Sequence, residues 1–512
     1  MAAERYLVRA FALGLALTGP AAAQDRPMSA IDWLSRSVEE APDTVAPDEP
    51  ATSGGAGVEE ITVTPLGEVS NDAVGLLPAA ISRLPRDLWG TTPSRELAEL
   101  FEAAQNGLLP ATQDLLLRLL LAELDPPADS DPGHALFLAR IDALMAMGAV
   151  EQAQALLERA GPDDPASFAR WFDASLLTGT EDAACAALGE APELAPSLAA
   201  RIFCLARNGD WNAAALTLET SRALGELTGA EDAILARYLD PETFAGAPEL
   251  APPMRPTPLV FRLYEAVGEP IPTHLLPLPF AQADLQLNTG WKAQIEAAER
   301  LARSGVIDSN RLLGLYTERQ PAASGGVWDR VAAVQRLDAA LAGGDSTALA
   351  DALVLAWEVL GHAGLRAVLA DMFAARLADR APAGEAGRIA FEIGLLSDRY
   401  AAAAEAREPK RPMERFLKAV ARGDVSGVTP PDQTAAAIAD GFRATAAPDR
   451  LQEMIDGRRL GEAILRGIAL AADGAAGDPE KLSAAIALFR AAGLDEVARR
   501  FALQALILVE DA

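Results

Sequence analysis

The residues best suited to chemistry in this chain are few. Two cysteines, Cys185 and Cys204, and three histidines, His134, His274 and His362, are all it carries of the thiol and imidazole groups. Cys185 falls near the start of one predicted helix and Cys204 near the end of the next. The turn around Leu194-Ala195-Pro196 runs those helices antiparallel, so the two side chains can face each other. In an oxidising compartment that arrangement gives a structural disulfide; the alternative is two small buried apolar side chains. No Cys-x-x-Cys spacing is present to lower a thiol pKa, so a redox-active pair is not expected. The histidines stand alone, outside any His-x-x-x-His or cysteine-rich spacing, and read as cap, loop or core residues rather than metal ligands.

Two further motifs invite a binding reading. Asp129-Ser130-Asp131-Pro132-Gly133 resembles a calcium loop, but a third acidic ligand is lacking and Arg140 stands where the closing Glu belongs, so it reads as a turn. Residues 319–330 place Ser324-Gly325-Gly326 before Trp328. A phosphate cradle would need a following Lys and Ser or Thr, so the segment reads as a helix connector over Trp328, with a binding loop as the alternative. Paired carboxylates run glycoside hydrolysis, yet among 73 acidic residues no pair singles itself out. No catalytic residue, cofactor site or metal site is therefore expected.

The 73 acidic against 44 basic side chains give a formal net charge of -29. Such a chain repels phosphate backbones, which argues against nucleic acid and anionic lipid and in favour of a basic protein surface. Lys292, Lys410, Lys418 and Lys481 are the lysines, and every other basic residue is arginine. With 512 residues, half of them apolar, the chain can bury a large core or form more than one domain.

Residues 1–23 read as an export leader: Arg5 and Arg9, an apolar run Ala10–Leu17 too short to span a bilayer, then small residues before a cut at Gln24. The mature chain is expected to be periplasmic and without a stable membrane anchor. Ile31, Leu34 and Val38 lie on one face of a predicted short helix over 29–38, with Trp33 beside it, and suit docking into a partner's groove; folding back onto the body is the alternative. Residues 39–57 are acidic and rich in Pro, Gly and Ser, and read as a disordered linker. Residues 58–69 are the one strand candidate.

From Pro78 onward, windows of Ala, Leu, Arg and Glu separated by Gly, Pro and Asp predict helix after helix. They repeat. From Gly148 the chain runs through Val150, Ala153, Leu157, Ala160 and Pro165. From Gly179 the same offsets give Glu181, Ala184, Leu188, Ala191 and Pro196, and from Gly209 they give Trp211, Ala214, Leu218 and Ser221. A weaker echo follows Gly493. Glycine frees the turn between two helices, the small residue lets them approach, and the bulky residue fills the groove between pairs.

This pattern resembles the tetratricopeptide repeat family, over about a quarter of the chain. The resemblance implies antiparallel helix pairs stacked into a superhelix whose concave surface receives peptides or partner proteins. The expected organisation is thus all-α: an α-solenoid half over 58–245, with its repeat-like part at 134–239, a proline-rich joint at 246–289, and a second half over 290–512. Residues 78–124 and 494–509 are the candidate end caps, although the closing helix is apolar nearly all round and reads as buried. The expected function is a non-catalytic scaffold or assembly factor contacting envelope proteins in cell-wall synthesis, outer-membrane export or the flagellar motor. The alternatives are an envelope enzyme such as a peptidoglycan hydrolase, and a small-ligand binder at the proline-rich joint.

Overall fold

Several of the helix-forming windows are bounded by residues that start and stop a helix. Asp164 caps the helix that opens at Pro165, accepting hydrogen bonds from the backbone N–H groups of Ala166 and Ser167. Ser197, Asp210 and Asp432 cap others in the same way, and Thr228 with Glu231 forms a full capping box. The computed structural model describes residues 70–130, 133–380 and 382–509. Among them no strand forms, and the one extended pairing is an isolated bridge between Leu77 and Ala122. The fold is all-helical. The leader, the 29–38 segment with Ile31, Trp33, Leu34 and Val38, the acidic stretch and the 58–69 strand candidate lie outside the described residues.

After a 3-10 turn at Asn71–Ala73 and a single helical turn at Ala79–Ser82 come α1 (Ser94–Ala103) and α2 (Pro110–Leu121), both packed near α3 (Ala135–Ala146). Three hairpins follow: α3 with α4 (Val150–Ala160), α5 (Pro165–Thr178) with α6 (Glu181–Glu190), and α7 (Leu198–Arg207) with α8 (Trp211–Leu224). Gly148, Gly179 and Gly209 sit at their three turns with φ of +82°, +79° and +90°. Val150, Glu181 and Trp211 are the first residues of the second helices, and Ala153, Ala184 and Ala214 are each fully buried against the first. The shared requirement is the left-handed backbone, which side chains with a Cβ adopt only with strain. Close approach is not shared: a Cβ at Gly148 would meet Leu301 and Leu278 within 2.9 Å, whereas Gly209 faces open space.

After α9 (Gly229–Leu239) the proline-rich stretch holds one helix, α10 (Pro258–Ala266), and short 3-10 turns at Thr273–Leu275 and Leu278–Leu285. The second of these turns packs against α3, α5 and α11 (Trp291–Arg303), so it ties the hairpins before the prolines to those after. The chain continues through α12 (Ser309–Glu318), α13 (Val327–Gly343), α14 (Ser346–Gly361), α15 (Arg366–Ala378), α16 (Gly384–Leu396), α17 (Tyr400–Ala406) and α18 (Pro412–Arg422). It ends in α19 (Gln433–Arg443), α20 (Asp449–Asp456), α21 (Leu460–Ala475), α22 (Pro479–Ala491) and α23 (Asp495–Leu508).

The two segments expected to cap distant ends instead pack on each other. Helix α23 lies against α2 as well as α16, α18 and α22, and α21 lies against α1 and α2. The reason is apolar: Leu115, Leu116 and Leu119 of α2 and Phe501, Ala502 and Leu503 of α23 are all buried in one continuous core. Polar contacts then fix the register. The Gly461 N–H donates to the Leu88 carbonyl at 2.9 Å. The buried Glu462 carboxylate accepts from Thr92 at 3.3 Å and from Arg466 at 2.9 Å, while Arg466 also reaches Glu96 at 2.7 Å.

Candidate functional site

Closing the C-terminal helices onto the N-terminal ones leaves a cavity of about 970 Å³. Its wall is assembled from five separate stretches: the entry to α2, the turn between α11 and α12, the turn between α14 and α15 with the first half of α15, the end of α16, and α23. Two of those turns bend at glycines, Gly305 (φ +70°) and Gly364 (φ +68°). The volume lies at the upper end of the roughly 300–1,000 Å³ range of ligand clefts.

The wall mixes apolar and hydrogen-bonding groups. Leu109, Ile307 and Val368 supply carbon surface; Asp114, Asp371 and Arg500 are among the charged groups. Arg500 is committed to Asp114 at 3.0 Å. Arg366 lies over the Trp357 ring, 4.7 Å from its centre, and Asp308 caps α12 by accepting from the Asn310 N–H at 2.7 Å.

Two charged groups differ. Asp371 accepts one long hydrogen bond, from Ser309 at 3.3 Å, and among the described residues no cation lies within ion-pair distance of it. Arg303 donates to the Ala363 carbonyl at 3.0 Å and has no carboxylate partner among the described residues. Burial by the cavity wall pushes the Asp371 carboxyl up to about 6. The Ser309 hydroxyl and Arg500 act against that, and Asp114 and Asp398 act with it. Water still reaches the carboxylate through the cavity, so its charged form is screened as well as confined.

Of the sequence-derived candidates, all but His362 fall elsewhere. Cys185 of α6 and Cys204 of α7 are bonded to each other, Cα to Cα 4.8 Å, and both are buried. Because neither sulfur faces solvent, the bond serves as a staple between consecutive hairpins. His134 adopts a left-handed backbone before α3 and accepts a hydrogen bond from the Asn71 N–H at 3.3 Å. His274 borders a cleft of about 230 Å³ in the proline-rich joint, where Asp284 and Arg300 also stand. His362 caps the end of α14 and borders the large cavity, the one histidine of the three that does. No group of three or more potential metal ligands forms among the described residues.

Of the calcium-loop candidate, Asp131 and Pro132 lie outside the described residues, and Asp129 has a structural role. Asp129 accepts from the Ser94 N–H at 2.9 Å and from the Ser94 hydroxyl at 2.8 Å, holding the start of α1. Arg140 is buried and donates to the carbonyls of Leu120, Val74 and Ala122 at 2.8 to 3.0 Å. Burial lowers its guanidinium to about 10, against the pull of Asp72. In the 319–330 connector, Trp328 packs on Trp291 at 5.1 Å between ring centres, and the Gly325 N–H donates to Asp329 at 2.9 Å.

Asp371, Arg303, Arg500 and Gln504 were not singled out from the sequence. For Gln504 a signal existed: it is a lone amide in a helix otherwise apolar from Phe501 to Leu508. The others carry no local mark, because only the fold gathers them. Among the described residues no helix is long and apolar enough to cross a membrane. Comparison with protein-family models, curated proteins and solved structures finds no match, so the functional reading rests on the molecule's own chemistry.

Proposed function

We propose that this protein is a non-catalytic helical-hairpin scaffold of the bacterial periplasm that holds partner proteins in an envelope assembly. The hairpins are tetratricopeptide-like, stacked as a superhelix whose first and last members meet. The observation that carries this reading is the cavity of about 970 Å³, walled by five chain segments that only the completed fold brings together. Its wall offers mixed carbon and hydrogen-bonding surface of the kind a peptide segment satisfies. The net charge of -29 favours partners that present basic surface. The buried Cys185–Cys204 bond accords with an oxidising compartment. Cell-wall synthesis, outer-membrane export and the flagellar motor are the assemblies such a scaffold would serve.

The test is chemical cross-linking in the native envelope with identification of the trapped proteins, alongside a peptidoglycan zymogram of the purified chain. Reproducible capture of the same envelope proteins, with an unmarked zymogram, is the expected result. A cleared zone that is lost on substitution of cavity carboxylates would overturn the scaffold in favour of a hydrolase.

A further inference from the structure

The large cavity has a chemical polarity that narrows what it accepts. Of the charged groups on its wall, Asp114 and Arg500 neutralise each other at 3.0 Å, Arg366 is stacked on Trp357, and Asp308 is spent capping α12. Asp371 on α15 and Arg303 at the end of α11 are left, one negative and one positive, each with a single hydrogen bond, to a neutral group, among the described residues. Both are solvent-exposed, and α11 packs against α15, so the two stand on adjoining parts of one wall. The turns at Gly305 and Gly364 add backbone and little side-chain bulk to the same cavity. Leu109, Ile307 and Val368 add carbon surface to the same hollow.

We infer that the cavity binds a peptide segment of a partner protein carrying both charges, a Lys or Arg side chain seated on Asp371 and an acidic side chain on Arg303. This inference rests on the scaffold reading and names what the scaffold's cavity recognises. The chemistry is complementary on each side. An exposed carboxylate with no cation partner gains a charge-assisted hydrogen bond from an arriving ammonium or guanidinium. A guanidinium pairs with a carboxylate through two parallel hydrogen bonds, which fixes orientation. A ligand with one charge would pair with one group and leave the other without a partner from the ligand, so the paired demand gives specificity. Extended backbone between the two charges finds donors and acceptors in Asn310 and Gln113, both on the wall.

The experiment is selection of a random-peptide display library on the full chain, followed by binding of the enriched peptides, fluorescein-labelled, measured by anisotropy. Enriched peptides are expected to carry a basic and an acidic residue at a recurring spacing. Asp371→Asn should weaken a selected peptide about tenfold, and should have no further effect on the same peptide with Gln in place of its Lys or Arg. Arg303→Gln should show the matching pattern with the acidic position. Because both side chains are solvent-exposed, neither substitution strands a buried group, and circular dichroism checks that the fold is kept. No enrichment, enrichment of peptides lacking either charge, or affinities indifferent to both substitutions would overturn the inference. If native cross-linking still captured envelope partners in that event, the scaffold reading would stand and this ligand chemistry alone would fall.

Discussion

Gln504, on the last helix, accepts a hydrogen bond from the backbone N–H of Ala111 at 2.8 Å, across 393 residues of sequence. Ala111 follows Pro110 at the start of α2, where no side chain of the local sequence caps the helix. The first turn of a helix leaves N–H groups without intrahelical partners, and a buried one is costly unless something accepts from it. Gln504 does so from the far end of the chain, itself 1% exposed. The start of α2 is thus satisfied by a side chain of α23.

Replacing Gln504 by Leu keeps the volume roughly and removes the acceptor. The buried Ala111 N–H is then unpaired, and the expected loss is about 1–3 kcal/mol of unfolding free energy. Urea denaturation followed by circular dichroism measures it. An unchanged midpoint would mean that the Gln504–Ala111 hydrogen bond contributes nothing to stability.

The Cys185–Cys204 bond closes a loop with a sequence separation of 19. Chain-entropy reasoning puts the stabilisation from a loop of that size at about 3 kcal/mol. Purified protein should show no reactive thiol before or after denaturation without reductant, and two after reduction. The double Cys→Ala variant should unfold at correspondingly lower denaturant. Two thiols titrating without reductant would contradict the bond.

The three hairpin glycines are not equivalent. At Gly209 an Ala meets only the strain of a left-handed backbone, about 1–2 kcal/mol. At Gly148 the same change also forces a Cβ onto Leu301 and Leu278, within 2.9 Å. Gly148→Ala should therefore lower the melting temperature clearly more than Gly209→Ala. Equal losses would show that the turn conformation alone matters.

Asp173 on α5 is predominantly buried, and that burial raises its carboxyl to about 6, with Arg170 pulling the other way. A folded-state pKa above the unfolded one favours the protonated acid in the fold. The contribution is fully present below the unfolded carboxylate range and is lost as pH rises through about 6. Asp173→Asn should accordingly raise the melting temperature at pH 8 relative to the parent, with the difference shrinking through pH 6 and gone below about pH 4. A difference that does not vary with pH would rule out the titration of Asp173 as its source.

What the sequence made legible was local. The glycine at each hairpin turn, the buried Ala five residues on and the capping Asp or Ser are all decided within a dozen residues, and periodicity exposes them. The proline-rich stretch was legible for the same reason, since proline forbids long helices whatever surrounds it. The docking of α23 on α2 and the cavity it completes were not. The contacts that define them, Gln504 to Ala111 and Arg500 to Asp114, span most of the chain and leave no trace in any window. Even the apolar character of α23, visible in the sequence, showed that it is buried without showing against what.

The most direct test of the scaffold is a photoreactive amino acid placed at Asn310, on the cavity wall, in the protein as made by living cells, with Thr220 on the exposed side of α8 as the control. A cavity that receives a partner should give one dominant adduct from position 310, absent from position 220, and lost when Asp371→Asn and Arg303→Gln are combined. Equal labelling from both positions, or an adduct from 310 indifferent to those substitutions, would contradict it.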